Sequence, residues 1–509
     1  MKLWNITAAL LAASFVTSTA VAQQSQEELS KELRALKAQV DSQKQEIADL
    51  KAGVTQEASI ETEINRLSER LAAATTVHSA ANKISFTGEF RYRGYLDLGD
   101  DEFGDERDGW GNSSRVRIGF LYEFAKNVSA YAELQSNFAY GQNASTSVLY
   151  GAPSSGFSGG TSVEGTPSSS ETDLGLYQAW LKVTNLFGRP EFSMKAGRQE
   201  VVFGNQFQFG NADWYNGISF DGVRYDWMSE NFDLTAFLLR TSTEDINDFN
   251  QFPGFGSHDH DEIYGLYFVL KSIKNIKVDA YWFYANLHDG TSVNGLSAPL
   301  SPGAGAGSPT DYFHTIGARF GGDVDVAAGL DWSLEAAYQF GSTDDPPDIG
   351  ALAVEGEIGV TFSKDNRFRA WIRGLYAEGP DGEDLGYQTL YPNRHSNTAN
   401  FRARYGWADF FPMTNVFALT GGIHFDPSTD WTIGANLTWG QSEEDILPGI
   451  DDSYGWEIDV WAEYRYSESL TFNVGAAAVF ADDSGVFASG GVYDDDVNFL
   501  VWLQARLFF

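Results

Sequence analysis

The way this chain joins its β-type segments constrains its fold more than the segments do. From Ile84 onward polar and apolar residues alternate with period two, as in Gly88-Glu-Phe-Arg-Tyr-Arg-Gly-Tyr95 and Ser114-Arg-Val-Arg-Ile118. That is the spacing of a strand with two unlike faces. Eighteen such segments run from 84–98 to 495–509, one of them 190–204. Short turns fall at Lys126-Asn127, Asn185–Arg189, Ser229–Asn231, Ser272–Lys274, Lys364–Asn366, Pro427–Thr429 and Ser467–Ser469. Long polar loops alternate with them, at 99–112, 141–170, 205–216, 244–259, 289–309, 343–349, 380–413, 444–453 and 484–494, and the connection 322–328 is intermediate. Short turns on one side and long loops on the other are what an up-and-down transmembrane barrel requires. A soluble sandwich has no reason to sort its loops. The expected fold is therefore an all-β transmembrane barrel of about 18 antiparallel strands, with both ends on the short-turn side.

Composition agrees with that expectation and excludes several alternatives. Past the leader no run of roughly 20 apolar residues could form a spanning helix, so insertion must be by strands. The hydrophobic fraction of 43% is ordinary, as it is in barrels whose lipid-facing and lumen-facing residues alternate. A formal charge of −36 makes a poor nucleic-acid binder. The absence of cysteine excludes disulfides and thiolate metal sites. No nucleophile elbow, zinc-helix motif or phosphate loop appears in context. No enzyme, catalytic residue or cofactor is expected. His258-Asp-His260-Asp-Glu262 is read as a solvated acidic loop rather than a metal site, and the other acidic loops lack a calcium-loop pattern.

The first 83 residues differ in character. Residues 1–22 read as a signal peptide, with Lys2 before an apolar core Ile6–Val16 and a small-residue cleavage site Ala20-Val21-Ala22. Residues 23–75 read as an α-helical coiled coil in the periplasm. Leu29, Leu33, Leu36, Val40, Ile47, Leu50 and Val54 are spaced by threes and fours, and Ile60, Ile64, Leu67 and Leu71 continue after a stammer. Residues 76–83 are a linker, and 84–509 the outer-membrane barrel. Branched residues at a positions lean to a dimer, whereas the porin context favours a trimer, which is the expectation.

Alternation assigns the faces of the strands. Phe90 and Tyr92 face lipid, so Arg91 and Arg93 face the lumen; Val116 and Ile118 likewise place Arg115 and Arg117 inside. Phe368, Ala370 and Ile372 place Arg367, Arg369 and Arg373 inside, and Val223, Tyr225 and Trp227 do the same for Arg224. From Lys83 on there are 18 Arg against 8 Lys. Arginine on the lipid face near the midplane costs about 2–4 kcal/mol, which supports the lumen assignment. Glu89, Glu335, Glu355 and Glu357 also face inward, with Glu357 expected near Arg373 and Glu335 near Arg319, so part of the arginine charge is expected to be neutralised. Loop 380–413 either lies on the surface or folds into the lumen as a constriction. In the second case it brings Arg394, His395, Arg402 and Arg404 to the pathway.

Several stretches resemble the alginate-export family of outer-membrane porins. They are Ala196-Gly-Arg-Gln-Glu-Val-Val-Phe-Gly204, Trp214–Arg224 with its Phe-Asp-Gly-Val-Arg, Leu176-Tyr-Gln-Ala-Trp180, Phe313-His-Thr-Ile-Gly-Ala-Arg319, Leu334–Gly341 and Leu390-Tyr-Pro-Asn-Arg-His395. The similarity covers nearly all of 84–509. It implies an 18-stranded barrel with an arginine-rich pathway for a polyuronate, and places Arg198 beside Arg224 in the lumen set. The coiled coil is a departure from the family pattern.

The expected function is an outer-membrane porin of a Gram-negative bacterium. It passes small solutes by diffusion, biased to anions or acidic oligosaccharides through transient binding along Arg91, Arg93, Arg115, Arg117, Arg198, Arg224, Arg367, Arg369, Arg373, Arg394, Arg402 and Arg404. The alternatives are a non-selective porin and a structural tether from outer membrane to cell wall. Expected partners are outer-membrane lipid and lipopolysaccharide, the barrel assembly machinery through an apolar-alternating last strand ending in Phe509, and other copies of the chain through the coil.

Overall fold

The computed structural model describes residues 84–98, 109–141, 173–211, 213–214, 217–240, 262–287, 311–324, 329–342, 348–362, 367–381, 384–396, 402–445, 452–484 and 497–509, with six single positions between 34 and 44. Those six positions are helical; the rest of the expected signal peptide, coil and linker lies outside the described residues. The chain divides into Met1–Lys83 and Ile84–Phe509.

The second unit is a barrel wall. Its first strands are β1 (Ile84–Leu98), β2 (Gly109–Ala125), β3 (Val128–Gly141), β4 (Asp173–Thr184), β5 (Phe192–Gln199) and β6 (Phe220–Met228). There follow β7 (Phe232–Arg240), β8 (Glu262–Leu270), β9 (Ile276–Leu287), β10 (Asp311–Val324), β11 (Leu330–Ser342), β12 (Ile349–Thr361) and β13 (Arg369–Ala377). Two short strands, β14 (His395–Ser396) and β15 (Arg402–Ala403), pair only with each other. The wall resumes with β16 (Val416–Ser428), β17 (Trp431–Gln441), β18 (Ser453–Arg465), β19 (Leu470–Ala481) and β20 (Val497–Phe508). Successive wall strands pair antiparallel and β20 returns to β1, which closes an 18-stranded sheet. Closure satisfies the backbone without leaving an edge in the hydrocarbon.

The seam is tied by Phe509. Gly88 donates to its carbonyl at 2.8 Å and accepts from its N–H at 3.0 Å. The Phe509 ring lies where a side chain at position 88 would stand, so the glycine lets the ring cover the seam.

The wall is apolar outside and polar inside. Along β18, Trp456, Ile458 and Val460 are 45–53% exposed, while Glu457 and Asp459 between them are fully buried. A soluble sheet shows the reverse; this arrangement suits a wall with hydrocarbon outside. Aromatic pairs mark both rims. Phe192 stacks on Trp227 and Trp431 on Tyr464 at the short-turn ends, while Trp439–Trp456 and Tyr284–Tyr312 stand at the long-loop ends.

Candidate functional site

Two connections turn into the barrel instead of away from it. One joins β5 to β6 (200–219) and the other β13 to β16 (378–415). They bind each other through a short backbone ladder: Tyr391 N–H donates to Gln208 at 2.8 Å, Gly210 to Tyr391 at 2.7 Å and Asn393 to Gln206 at 2.9 Å. Their rings fill the space between the walls. Phe203 stacks on Tyr267 of β8 at 4.5 Å, Phe209 meets Phe283 of β9 at 5.0 Å, and Trp407 meets Trp502 of β20 at 5.1 Å. Trp214 of one loop lies flat on His395 of the other, 4.9 Å apart at 7°. At Gly406 the backbone has φ +112° and presses on the Glu457 carboxylate, so the close approach requires glycine. The described residues of loop 380–413 therefore fold into the lumen.

Five arginines on three adjacent strands hold the first loop at Asp213-Trp214. Arg115 donates to Glu89 at 2.7 Å and to the Asp213 carboxylate at 2.6 Å. Arg117 reaches the same carboxylate at 2.9 Å, and Arg506 takes its other oxygen. Arg91 donates to the Asp213 and Trp214 carbonyls at 2.8 and 2.7 Å. Arg93 donates to the Trp214 carbonyl at 2.7 Å, with its guanidinium 3.7 Å from the Trp214 ring centre. Burial alone would raise the Asp213 carboxyl pKa, but Arg115, Arg506, Arg117 and Arg91 together outweigh it and hold it well below the usual carboxylate range. Its folded value is depressed, so its contribution to stability is present above the ordinary carboxyl range and is lost only as pH falls through the lower folded value.

Glu355 on β12 holds both loops. It accepts from Arg404 at 2.5 Å, from Asn205 at 3.0 Å and from the Tyr405 hydroxyl. Beside it Arg373 donates to Glu357 at 2.9 Å and to the Arg404 carbonyl at 2.9 Å. Arg369 shares Glu357 at 2.6 Å and reaches Asp331 at 2.9 Å. Within the second loop Arg394 donates to the Asp409 carbonyl at 2.8 Å, and His395 Nε2 lies 2.7 Å from the Asp409 carboxylate.

His395 gives the loop a pH dependence. Burial lowers its pKa below the ordinary imidazole value, with Asp409 opposing and Arg394 and Arg93 assisting. A depressed imidazole stabilises the packed loop above about pH 6.5, and that stability is lost as pH falls below it. Single-channel records should show more frequent current fluctuations at pH 5.5 than at pH 7.5, and His395→Gln should remove the difference. Equal fluctuation at both pH values in the wild type would contradict this.

The family model for alginate export matches residues 82–445. The chain belongs to the alginate export family. No curated protein matches it. Solved structures show the same fold at low identity. Acinetobacter baumannii OccAB4 is 10% identical with a TM-score of 0.53, over 84% of this chain and 98% of that one. Pseudomonas aeruginosa OpdK, solved with vanillate, is 12% identical at 0.51, over 84% and 98%. Pseudomonas aeruginosa OccK3 is 11% identical at 0.50, over 85% and 99%. This alginate-export barrel is an outer-membrane porin for small solutes of a Gram-negative bacterium, a channel and not an enzyme.

Within the alginate-export barrel the remaining expected residues lie as follows. Arg224 faces inward and donates to Asp226 at 2.7 Å. Arg367 is 59% exposed at the short-turn rim and pairs with Asp426. The Arg402 side chain lies outside the described residues. Arg198 requires a correction. It stands opposite Asp221 on the outward face that carries Met194, Tyr225 and Trp227, and binds the Asp221 carboxylate at 2.7 and 3.0 Å. The cause is the unbroken alternation of β5, whose pairing with β4 and β6 has no register shift, so Arg198 shares the face of Ala196 and Met194. It also donates to the Leu176 carbonyl at 3.2 Å. Arg319 stands between two register partners, Asp279 on β9 and Glu335 on β11; it takes Asp279 at 2.7 Å, and the Glu335 carboxylate accepts from Tyr281 at 2.9 Å. Of the His258–Glu262 run only Glu262 is described, and it is held by Arg240 and Tyr264 at 2.5 and 2.6 Å. Arg506, Asp213 and the clasp role of Glu355 were not anticipated. Alternation along the last strand places Arg506 inward and could have found it; nothing in the loop composition singles out Asp213.

Proposed function

We propose that the barrel favours small anions, acidic oligosaccharides among them, and passes them by diffusion past transient cationic stations. One observation carries this reading. The arginines of β1, β2 and β20 already bind a carboxylate inside the lumen, that of Asp213. Five of them gather around three acids, Glu89, Asp213 and Glu200, so the local balance is positive and suits a solute that presents a carboxylate in the same way. The family's alginate, a polyuronate, is such a solute, and OpdK was solved with another carboxylate, vanillate.

The thorough pairing elsewhere favours a second reading, a weakly selective porin. Arg404 with Glu355, Arg373 with Glu357 and Arg319 with Asp279 leave little net charge on those walls. Liposome swelling separates the two. The anion reading expects gluconate to enter several-fold faster than neutral sorbitol of similar size. Equal rates would leave the general porin. Residues 23–75 are proposed to join copies of the chain in the periplasm. Cross-linking of the intact protein should then give oligomers that a chain lacking 23–75 does not form, and oligomers persisting without the segment would refute it.

A further inference from the structure

The lumen face of β4–β6 carries a row of cations, of which Arg224 approaches the first loop, 5.7 Å from the Phe203 ring centre. Lys182 stands opposite Lys195, and Lys195 opposite Arg224, so three positive side chains sit side by side on neighbouring strands. Like charges directly opposite across a sheet destabilise it. Arg224 is neutralised by Asp226. Among the described residues, neither Lys182 nor Lys195 has a carboxylate within ion-pairing distance. Both are half-buried, so water screens them less than it screens a surface lysine. At the next inward level the wall becomes aromatic. The Lys195 ammonium lies 4.7 Å from the Trp180 ring centre, and Tyr131 flanks that ring at 5.3 Å. An ammonium over an indole is held by a weak attraction. A carboxylate in reach draws it away and frees a ring face beside two cations.

We propose that Lys182, Lys195 and Trp180 form a subsite on the lumen wall for a carboxylate carried on a six-membered ring. The lysines take the charge and the indole takes the flat face of the ring. Sugar acids and cyclic organic acids share this chemistry. The subsite rests on the anion reading above and gives it a location apart from the arginines that hold Asp213.

The test uses the full-length protein in planar bilayers, with glucuronate, benzoate or neutral glucose added to the short-turn side. Glucuronate or benzoate should interrupt the current and glucose should not; which of the two acids is effective identifies the source of the ring. Lys182→Gln with Lys195→Gln should shorten the interruptions about tenfold. Trp180→Ala should shorten them too, while leaving the chloride preference unchanged. An SDS-resistant, heat-modifiable band confirms that each variant is a folded barrel. Interruptions of wild-type length in the lysine variant overturn the subsite, as does an anion-preferring wild type that neither acid interrupts. A wild type with no anion preference overturns the underlying reading as well.

Discussion

Glu355→Ala is expected to release both inward loops together while leaving the barrel wall intact. Glu355 is the one wall carboxylate that Arg404, Tyr405 and Asn205 share. Both Glu355 and Arg404 are 4% exposed. Removing one partner of a buried ion pair leaves the other charge uncompensated and costs about 3–5 kcal/mol. Arg404 keeps the Asn393 and Asn205 carbonyls at 3.1 and 2.6 Å, which favours the lower figure. About 3 kcal/mol is roughly a hundredfold in an opening equilibrium. Amide exchange of the described loop residues 384–396 and 402–414 should therefore accelerate about a hundredfold. The amides of β12 and its neighbours should keep their rates, because their ladder does not involve this side chain. Unchanged loop exchange would show that ring packing alone retains the loops.

Asp213→Asn should change selectivity more than any other single substitution. The asparagine keeps the shape and the backbone bonds to Arg91 and Arg115. It removes the charge that Arg115, Arg117 and Arg506 share. A local balance of five cations to three acids, Glu89, Asp213 and Glu200, becomes five to two. The charge-assisted bonds weaken and the loop loosens, for a local loss of about 3 kcal/mol. The anion-to-cation permeability ratio should rise several-fold, since the uncovered guanidiniums then face the lumen without their counter-charge. A fall in that ratio would mean that ions do not pass these arginines.

The wall was legible in the sequence because hydrocarbon outside and water inside impose a strict period of two. The outward Phe90, Ile118 and Val460 and the inward Arg91, Arg117 and Asp459 follow from it directly. The segment 190–204 shows where that logic stops. Val201, Val202 and Phe203 continue an apolar pattern, yet β5 ends at Gln199; Val201 is buried and Phe203 packs inside the barrel on Phe237, Tyr267 and Phe283, while Val202 stays exposed. Alternation cannot distinguish a strand facing lipid from a loop packing against an aromatic lumen wall. Arg198 shows the second limit. The family resemblance places it in the lumen, whereas alternation with Met194 and Ala196 along its own unbroken strand places it outside, and the strand geometry decides. The pairing of Glu357 with Arg373 was accessible because both lie on adjacent strands at one level. The meeting of Asp213 with Arg506 was not, since it joins a loop to a strand 293 residues away.

The reversal potential of single channels in a potassium chloride gradient tests the central claim most directly. The lumen described here, with arginines of β1, β2 and β20 gathered around a carboxylate, predicts a potential on the chloride side of zero. It also predicts that added oligouronate will interrupt the current. Large, uninterrupted, potassium-preferring currents would contradict it and leave a porin whose arginines serve only to fasten its loops.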